Sequence, residues 1–232
     1  MPDIADGLVY YGVFLLSTTL HEAAHAWAAK LGGDLTAYHG GQVTLDPRPH
    51  IKREPVGMVV LPIVSVLMFG WPFGYASAPY DLRWAMRYPK RAAWMALAGP
   101  GANLLLIVMS GAAICLGLLA DVFSSPSSVS FGHIATGSSA ALDGFAFVLG
   151  AICSLNLILF LFNMLPIPPL DGSGALPLVL SDRAIPRYQQ LIWTQPGLGL
   201  IGIIIAWQIF PKIFQPIFLF VVNLVHPVAF YG

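Results

Sequence analysis

Charge is what this sequence has least of. Only 9% of its 232 residues are Asp, Glu, Lys or Arg, against about 25% in an ordinary soluble domain. That is too little to cover a water-facing surface, and the 57% hydrophobic content excludes a disordered chain. The 11 basic and 11 acidic residues cancel, which excludes a nucleic-acid binder that works through basic charge. Cysteine is scarcer still. Cys115 and Cys153 stand in separate apolar runs, where they read as small buried hydrophobes rather than as a disulfide or a metal pair. The opening MPDIADGLVYYG has two Asp and no Lys or Arg ahead of its apolar run, so it does not read as a signal peptide.

What is present is long stretches without charge. Residues 55–80, 92–120, 144–170, 188–211 and 213–232 contain no Asp, Glu, Lys or Arg, and a bilayer span takes about 20 mostly apolar residues. The expectation is an α-helical polytopic membrane protein with about five to six apolar segments. It forms a single membrane-embedded domain over 1–232, because no remaining stretch reaches the roughly 50 residues of an independent soluble domain. The first segment runs from about Asp6 to Leu31 and stops at Gly32-Gly33. The polar stretch DLTAYHGGQVTLDPRPHIKREP reads as turns and short strands. Residues 56–77 are apolar but interrupted by Pro62, Gly70, Pro72 and Gly74, which favours a re-entrant segment over a straight span. A small re-entrant, β-like region is therefore expected between the first span and the long one at 91–120. A Ser/Gly-rich loop over 121–142 and a span over 143–165 follow. The stretch 190–230 is broken by Pro196, Pro211, Lys212 and Pro216, with one span expected there.

Positive charge orients these segments. Lys30, Arg48, Lys52 and Arg53 follow the first span, Arg83, Arg87, Lys90 and Arg91 precede the long one, and Arg183 and Arg187 follow the third. The 121–142 loop has none. The N-terminus is thus expected outside and the basic loops inside, provided that 56–77 enters and leaves on one face. Trp71, Trp84, Trp94 and Tyr88 are expected as interfacial anchors.

The exceptions to this poverty of charge carry the chemistry. His21-Glu22-Ala23-Ala24-His25 is an HExxH pattern on the first span. Helix positions four apart share a face, so both imidazoles reach one metal ion while Glu22 sits beside it. Three ionisable residues inside five positions of a span are costly unless they function; the bland alternative is a polar packing cluster. Catalytic zinc takes three protein ligands, and Asp171 is the only acidic residue between Asp143 and Asp182. Pro166, Pro168 and Pro169 end the preceding helix and Gly172 permits a tight turn, which could aim this carboxylate back into the protein. An ordinary Asp-Gly turn at the surface is the alternative.

These residues resemble a known family. His21-Glu22-x-x-His25, then Ala98-Gly99-Pro100-Gly101-Ala102-Asn103, then Asn163-Met164-Leu165-Pro166-Ile167-Pro168-Pro169-Leu170-Asp171-Gly172 look like the site-2 proteases, peptidase family M50, in its short bacterial type. The resemblance covers roughly residues 8–175; the apolar segments over 190–230 carry no matching motif. It implies an intramembrane zinc metalloprotease that holds one zinc ion through His21, His25 and Asp171. Glu22 would be the general base. Asn163, and less directly Asn103, would hold the substrate or its oxyanion, although a buried amide also serves helix packing. The substrate would be a transmembrane protein segment, cut toward the inner side of a bacterial-type inner membrane. The extra leading span and the PDZ or CBS domains of some members are not expected.

Other expectations complete the reading. His39, His50, His133 and His226 are taken as bystanders. An edge strand within the strand-like 35–80 region is expected to pair with an unwound substrate, so that Pro introduced along Gln42–Leu45 impairs cleavage. Two other functions compete: a metal transporter using the HExxH cluster as a transit site, which calls for further ligands on other spans, and a metal-free scaffold that binds transmembrane helices.

Overall fold

The computed structural model describes residues 4–195, 197–227 and 229–232. Helix α1 (Ile4–Gly32) takes up the first apolar run, with 29 residues and a length of about 43 Å at 1.5 Å per residue. Its polar middle faces inward: Ser17, Thr18, Thr19, His21, Glu22 and His25 are all buried.

The polar stretch after α1 holds two short helices joined by turns. Asp34 accepts from the backbone N–H and the hydroxyl of Thr36 (2.9 and 2.6 Å) at the start of α2 (Thr36–His39). Asp46 accepts from Arg48 N (3.0 Å) as the N-cap of α3 (Pro47–Arg53). An Asp cap followed by Pro at the first helical position nucleates a helix despite the β-branched residues nearby. The turns expected over 34–55 are present at 40–45, but two short helices replace the short strands, which corrects the β-like part of the expected fold. Among the described residues no strand lies between 35 and 80.

A hairpin of one helix and one extended arm follows. A π-helical turn (Val56–Val60) runs into α4 (Leu61–Phe69); together they reach about 21 Å, short of the roughly 30 Å apolar core of a bilayer. The chain turns at Gly70 and comes back extended, so that Tyr75 N donates to Gly57 O (3.1 Å) and the Ser77 hydroxyl donates to Glu54. Entry and exit lie side by side, the shape a re-entrant segment requires.

Helix α5 (Leu82–Arg87), capped by Asp81, leads into α6 (Pro89–Leu119). The Ser/Gly-rich loop is closed by an antiparallel pair, β1 (Phe123–Ser124) with β2 (Thr136–Gly137), in the register Phe123 to Gly137 and Ser124 to Thr136. Helix α7 (Ala140–Asn163) starts at a Ser139 cap. A proline-rich turn then delivers the short α8 (Asp171–Ala175), the amphipathic α9 (Ile185–Thr194) and α10 (Gly197–Val225). Among the described residues three helices, α6, α7 and α10, are long and apolar enough to cross a membrane. Helix α1 has the length without the apolarity, and 56–69 has the apolarity without the length.

The prolines at 211 and 216 do not break α10; Pro196 lies outside the described residues. Phe210, Phe214 and Phe218, four apart on one face, stack with centroids 5.6 and 5.5 Å apart and carry the helix past both. The lower half of α10 (Phe218, Val222, Val225) packs on Ile107 and Ile114 of α6 and on Leu149, Cys153 and Leu157 of α7. Its upper half rests on the proline-rich turn, where a Cβ on Gly202 would come 1.8 Å from the Pro168 carbonyl oxygen. Helix α1 packs through Tyr10, Val13 and Phe14 against Phe147, Ala151 and Leu155 of α7. Trp84 is buried against Ala29, its indole N–H donating to Gly32 O (3.0 Å), so it is a packing residue rather than an exposed anchor.

Candidate metal centre

The inward face of α1 carries His21 and His25 one turn apart, with ring centroids 4.6 Å apart. Both are buried, as is Glu22 between them in sequence. His25 Nδ1 lies 2.7 Å from the main-chain carbonyl of Met95 on α6. A carbonyl can only accept, so Nδ1 carries the proton and the Nε2 lone pair is free. His21 Nδ1 lies 2.6 Å from Asn103 Oδ1, also on α6.

The two Nε2 atoms are 3.0 Å apart, and Asp171 Oδ2 lies 3.0 Å from that of His21 and 3.3 Å from that of His25. Asp171 arrives at this point because the proline-rich turn ends α7 and places it first in α8. Asp171 Oδ2 has no hydrogen-bond partner. Three electron-pair donors facing one another at about 3.0–3.3 Å repel unless a cation lies among them. With metal–ligand bonds of about 2.0–2.1 Å, the edges of a tetrahedral site are about 3.3 Å, so the set fits a small divalent ion.

Space for the ion comes from α6. A Cβ on Gly99 would sit 2.3 Å from His25 Nε2 and 2.5 Å from His21 Nε2. Only glycine leaves that position open. Beside it, Glu22 Oε2 is buried with no hydrogen-bond partner.

The remaining candidates separate. Asn103 is fully buried, with its oxygen on His21 and its Nδ2 donating to Asn156 Oδ1 (2.8 Å), so no part of its amide faces an incoming chain. Asn163 ends α7, partly exposed, and makes no side-chain hydrogen bond among the described residues. His39, His50, His133 and His226 stay apart from the cluster, and no second group of three ligands converges among the described residues. The edge strand expected within 35–80 is absent among the described residues, and Gln42 is buried with its Nε2 toward Ser77 O. Two participants were missed by sequence reasoning: Asn156 on α7 and Ser17 on α1, joined by a 2.9 Å hydrogen bond. The available signal was a polar side chain inside an apolar run. On the side of α9, burial pushes the Tyr80 phenol pKa up, the Trp193 indole opposes that, and the Asp171 charge adds to the rise. Tyr188 donates to Ser173 O (2.8 Å) and ties α9 to α8.

Comparison with known proteins points the same way. The family model of peptidase family M50 matches residues 10–204. The provisionally named zinc metalloprotease YwhC of Bacillus subtilis is 34% identical over 158 residues, covering 68% of this chain and 63% of that protein. The similarly named Rip2 of Mycolicibacterium smegmatis is 32% identical over 176 residues, covering 73% and 59%. Rip2 of Mycobacterium tuberculosis is 33% identical over 176 residues with the same coverage. The chain thus spans about 60% of the length of these curated relatives. No solved structure matches it.

Proposed function

From the premise that the chain belongs to peptidase family M50, we propose that it is an intramembrane zinc metalloprotease that cleaves transmembrane segments of other proteins. The observation that carries this reading is the triangle of His21, His25 and Asp171 with a partnerless Glu22 beside it. These three side chains hold one zinc ion per chain. Zinc, when bound, supplies the Lewis acidity that polarises a scissile carbonyl and acidifies water. Glu22 Oε2 takes the proton of the attacking water and passes it to the leaving nitrogen. His25 is held by the Met95 carbonyl and His21 by Asn103, so neither ring turns during the step. Asn163, with its amide uncommitted at the end of α7, hydrogen-bonds the substrate.

A helical substrate shields its own peptide bonds and has to unwind before attack. The return arm of the hairpin can take the extended segment: the backbone N–H groups of Ala76, Ser77, Ala78 and Tyr80 have no partner among the described residues. Pairing of this kind uses main-chain hydrogen bonds for affinity. In the membrane, α1, α6, α7 and α10 span and the hairpin re-enters. Arg91 donates to Gly32 O (3.2 Å) and Lys90 pairs with Asp182 (3.1 Å), so three of the basic connections meet at one end. By positive charge that end is cytoplasmic, and the zinc lies toward it. A transporter would need further ligands along the path, and none converge among the described residues.

The test is purified protein, its zinc content measured, incubated with a transmembrane peptide. Glu22→Gln should lower kcat by about 10²–10⁴-fold while zinc stays bound. Cleavage that survives this change refutes Glu22 as the base. Zinc flux into liposomes without cleavage favours transport.

A further inference from the structure

We infer that Asn156 fixes the tautomer of the metal ligand His21, acting through Asn103. The inference rests on the zinc reading above. Asn156 is fully buried in the middle of α7 and touches neither the three ligand atoms nor any surface a substrate could reach.

The direction of each hydrogen bond follows from one fixed group. The main-chain carbonyl of Ile152 can only accept, and it lies 2.8 Å from one side-chain amide atom of Asn156, which must therefore be the NH₂. The same NH₂ donates to Ser17 Oγ at 2.9 Å. The other atom, Oδ1, then faces Asn103. Being an acceptor, it requires the Asn103 atom 2.8 Å away to be Nδ2. That leaves Asn103 Oδ1 against His21 Nδ1 at 2.6 Å, and an acceptor in that place keeps the proton on Nδ1. The Nε2 lone pair is what remains, directed at the other two ligand atoms. A carbonyl on α7 thus sets the protonation pattern of a ligand on α1 through a side chain on α6. His25 needs no such relay, because the Met95 carbonyl acts on it directly.

Polarity, rather than bulk, is what the relay transmits. With Leu at 156, the Asn103 amide is free to turn over and present its NH₂ to His21 Nδ1. The imidazole proton then moves to Nε2, between ring and metal. An Asp at 103 cannot invert in this way, since a carboxylate only accepts. Asn156 is therefore a positioning residue, and a packing role would not be repaired by a change at 103.

The experiment measures zinc affinity of the full chain by chelator competition for wild type, Asn156→Leu, Asn156→Leu/Asn103→Asp and Ser17→Ala. Expected is a loss of about 10–100-fold for Asn156→Leu, the usual range for an outer-shell partner. The double variant should recover most of that loss. Ser17→Ala should stay within about threefold of wild type, because the Ile152 carbonyl still orients the amide. Wild-type affinity in Asn156→Leu, or equal loss in the double variant, overturns the relay. Nitrogen-15 histidine spectra of the wild type read the same point without a variant: a proton on His21 Nδ1 supports the relay, and a proton on Nε2 overturns it. A wild type that binds no zinc overturns the metal reading itself, whereas a zinc-binding wild type with an unaffected Asn156→Leu overturns only the relay.

Discussion

The interior that carries the proposed metal site and its cover are built on opposite principles. Inside, where α1, α6 and α7 meet, Ser17, Asn103 and Asn156 are fully buried polar side chains joined by hydrogen bonds. Outside, Leu67, Met68 and Phe69 of the hairpin and Leu200, Ile201 and Trp207 of α10 are exposed and apolar. Among the described residues, 197–220 of α10 make no side-chain hydrogen bond; that stretch is held by apolar and ring contacts and by the fit of Gly202 on Pro168. A soluble protein would be arranged the other way round. Hydrogen bonds specify distance and direction, and in a low dielectric a broken one is costly, so the interior holds its atoms in place. Apolar contacts specify neither so sharply. A helix attached by them can shift without leaving a polar group stranded.

Substitutions that trespass on the interior should therefore act on the metal, and substitutions in the cover should act on the substrate. The largest effect is expected at Gly99. Alanine there places a methyl group 2.3 Å from one ligand nitrogen and 2.5 Å from the other, which should weaken zinc binding more than about 100-fold with the helical circular dichroism unchanged. Zinc bound at the wild-type stoichiometry would break the comparison at its strongest point.

An intermediate effect is expected where cover and interior touch. Gly202→Val puts a side chain into the Pro168 carbonyl, three residues before Asp171, and pushes α10 and the turn apart. A misplacement of about 1 Å near a reacting centre costs on the order of 10²-fold in rate. Cleavage should fall by about that factor or less, with one zinc per chain retained. Concurrent loss of zinc would mean that α10 holds the metal as well, and the division between the regions would have to be redrawn.

The same division explains what could be read from residues alone. His21, Glu22 and His25 were legible because a spacing of four on a helix determines a shared face without any tertiary knowledge. Asp171 was legible because acidic residues are so few in that part of the chain. The helices of 34–55 were not, since Gly, Pro and β-branched residues suit either strands or short helices, whereas the interrupting Pro and Gly of 56–77 did announce its return. Asp46 as an N-cap and Asp34 through its bonds to Thr36 decided the matter, an effect that outweighs composition. The prolines of α10 misled for a related reason: their cost is local, and the Phe210-Phe214-Phe218 stack that offsets it emerges only once the helix exists. Asn156 showed as one polar residue in an apolar run, but its role depends on α1, α6 and α7 converging. No spacing within one helix encodes that.

The smallest effect, and the sharpest test of the cover, is expected at Trp207. Its ring lies 5.3 Å from Phe73 of the return arm and 6.4 Å from Phe162 of α7. With Phe69 and Trp71 it lines a recess of about 500 Å³ between the hairpin tip and α10. Aromatic pairs of this kind contribute about 0.5–1.5 kcal/mol each beyond area burial, so Trp207→Ala should lower the thermal midpoint by a few degrees. Zinc affinity should not change, because no side chain in the recess touches a ligand or its support. Cleavage of a transmembrane substrate should change by less than about tenfold, roughly what one or two such contacts are worth. A short soluble peptide, which need not arrive through the membrane, should be cut at the wild-type rate. The two substrates thus report the two regions separately. A parallel change in both would place Trp207 functionally with the interior, and a change confined to the transmembrane substrate would locate its approach at the seam between the hairpin and α10.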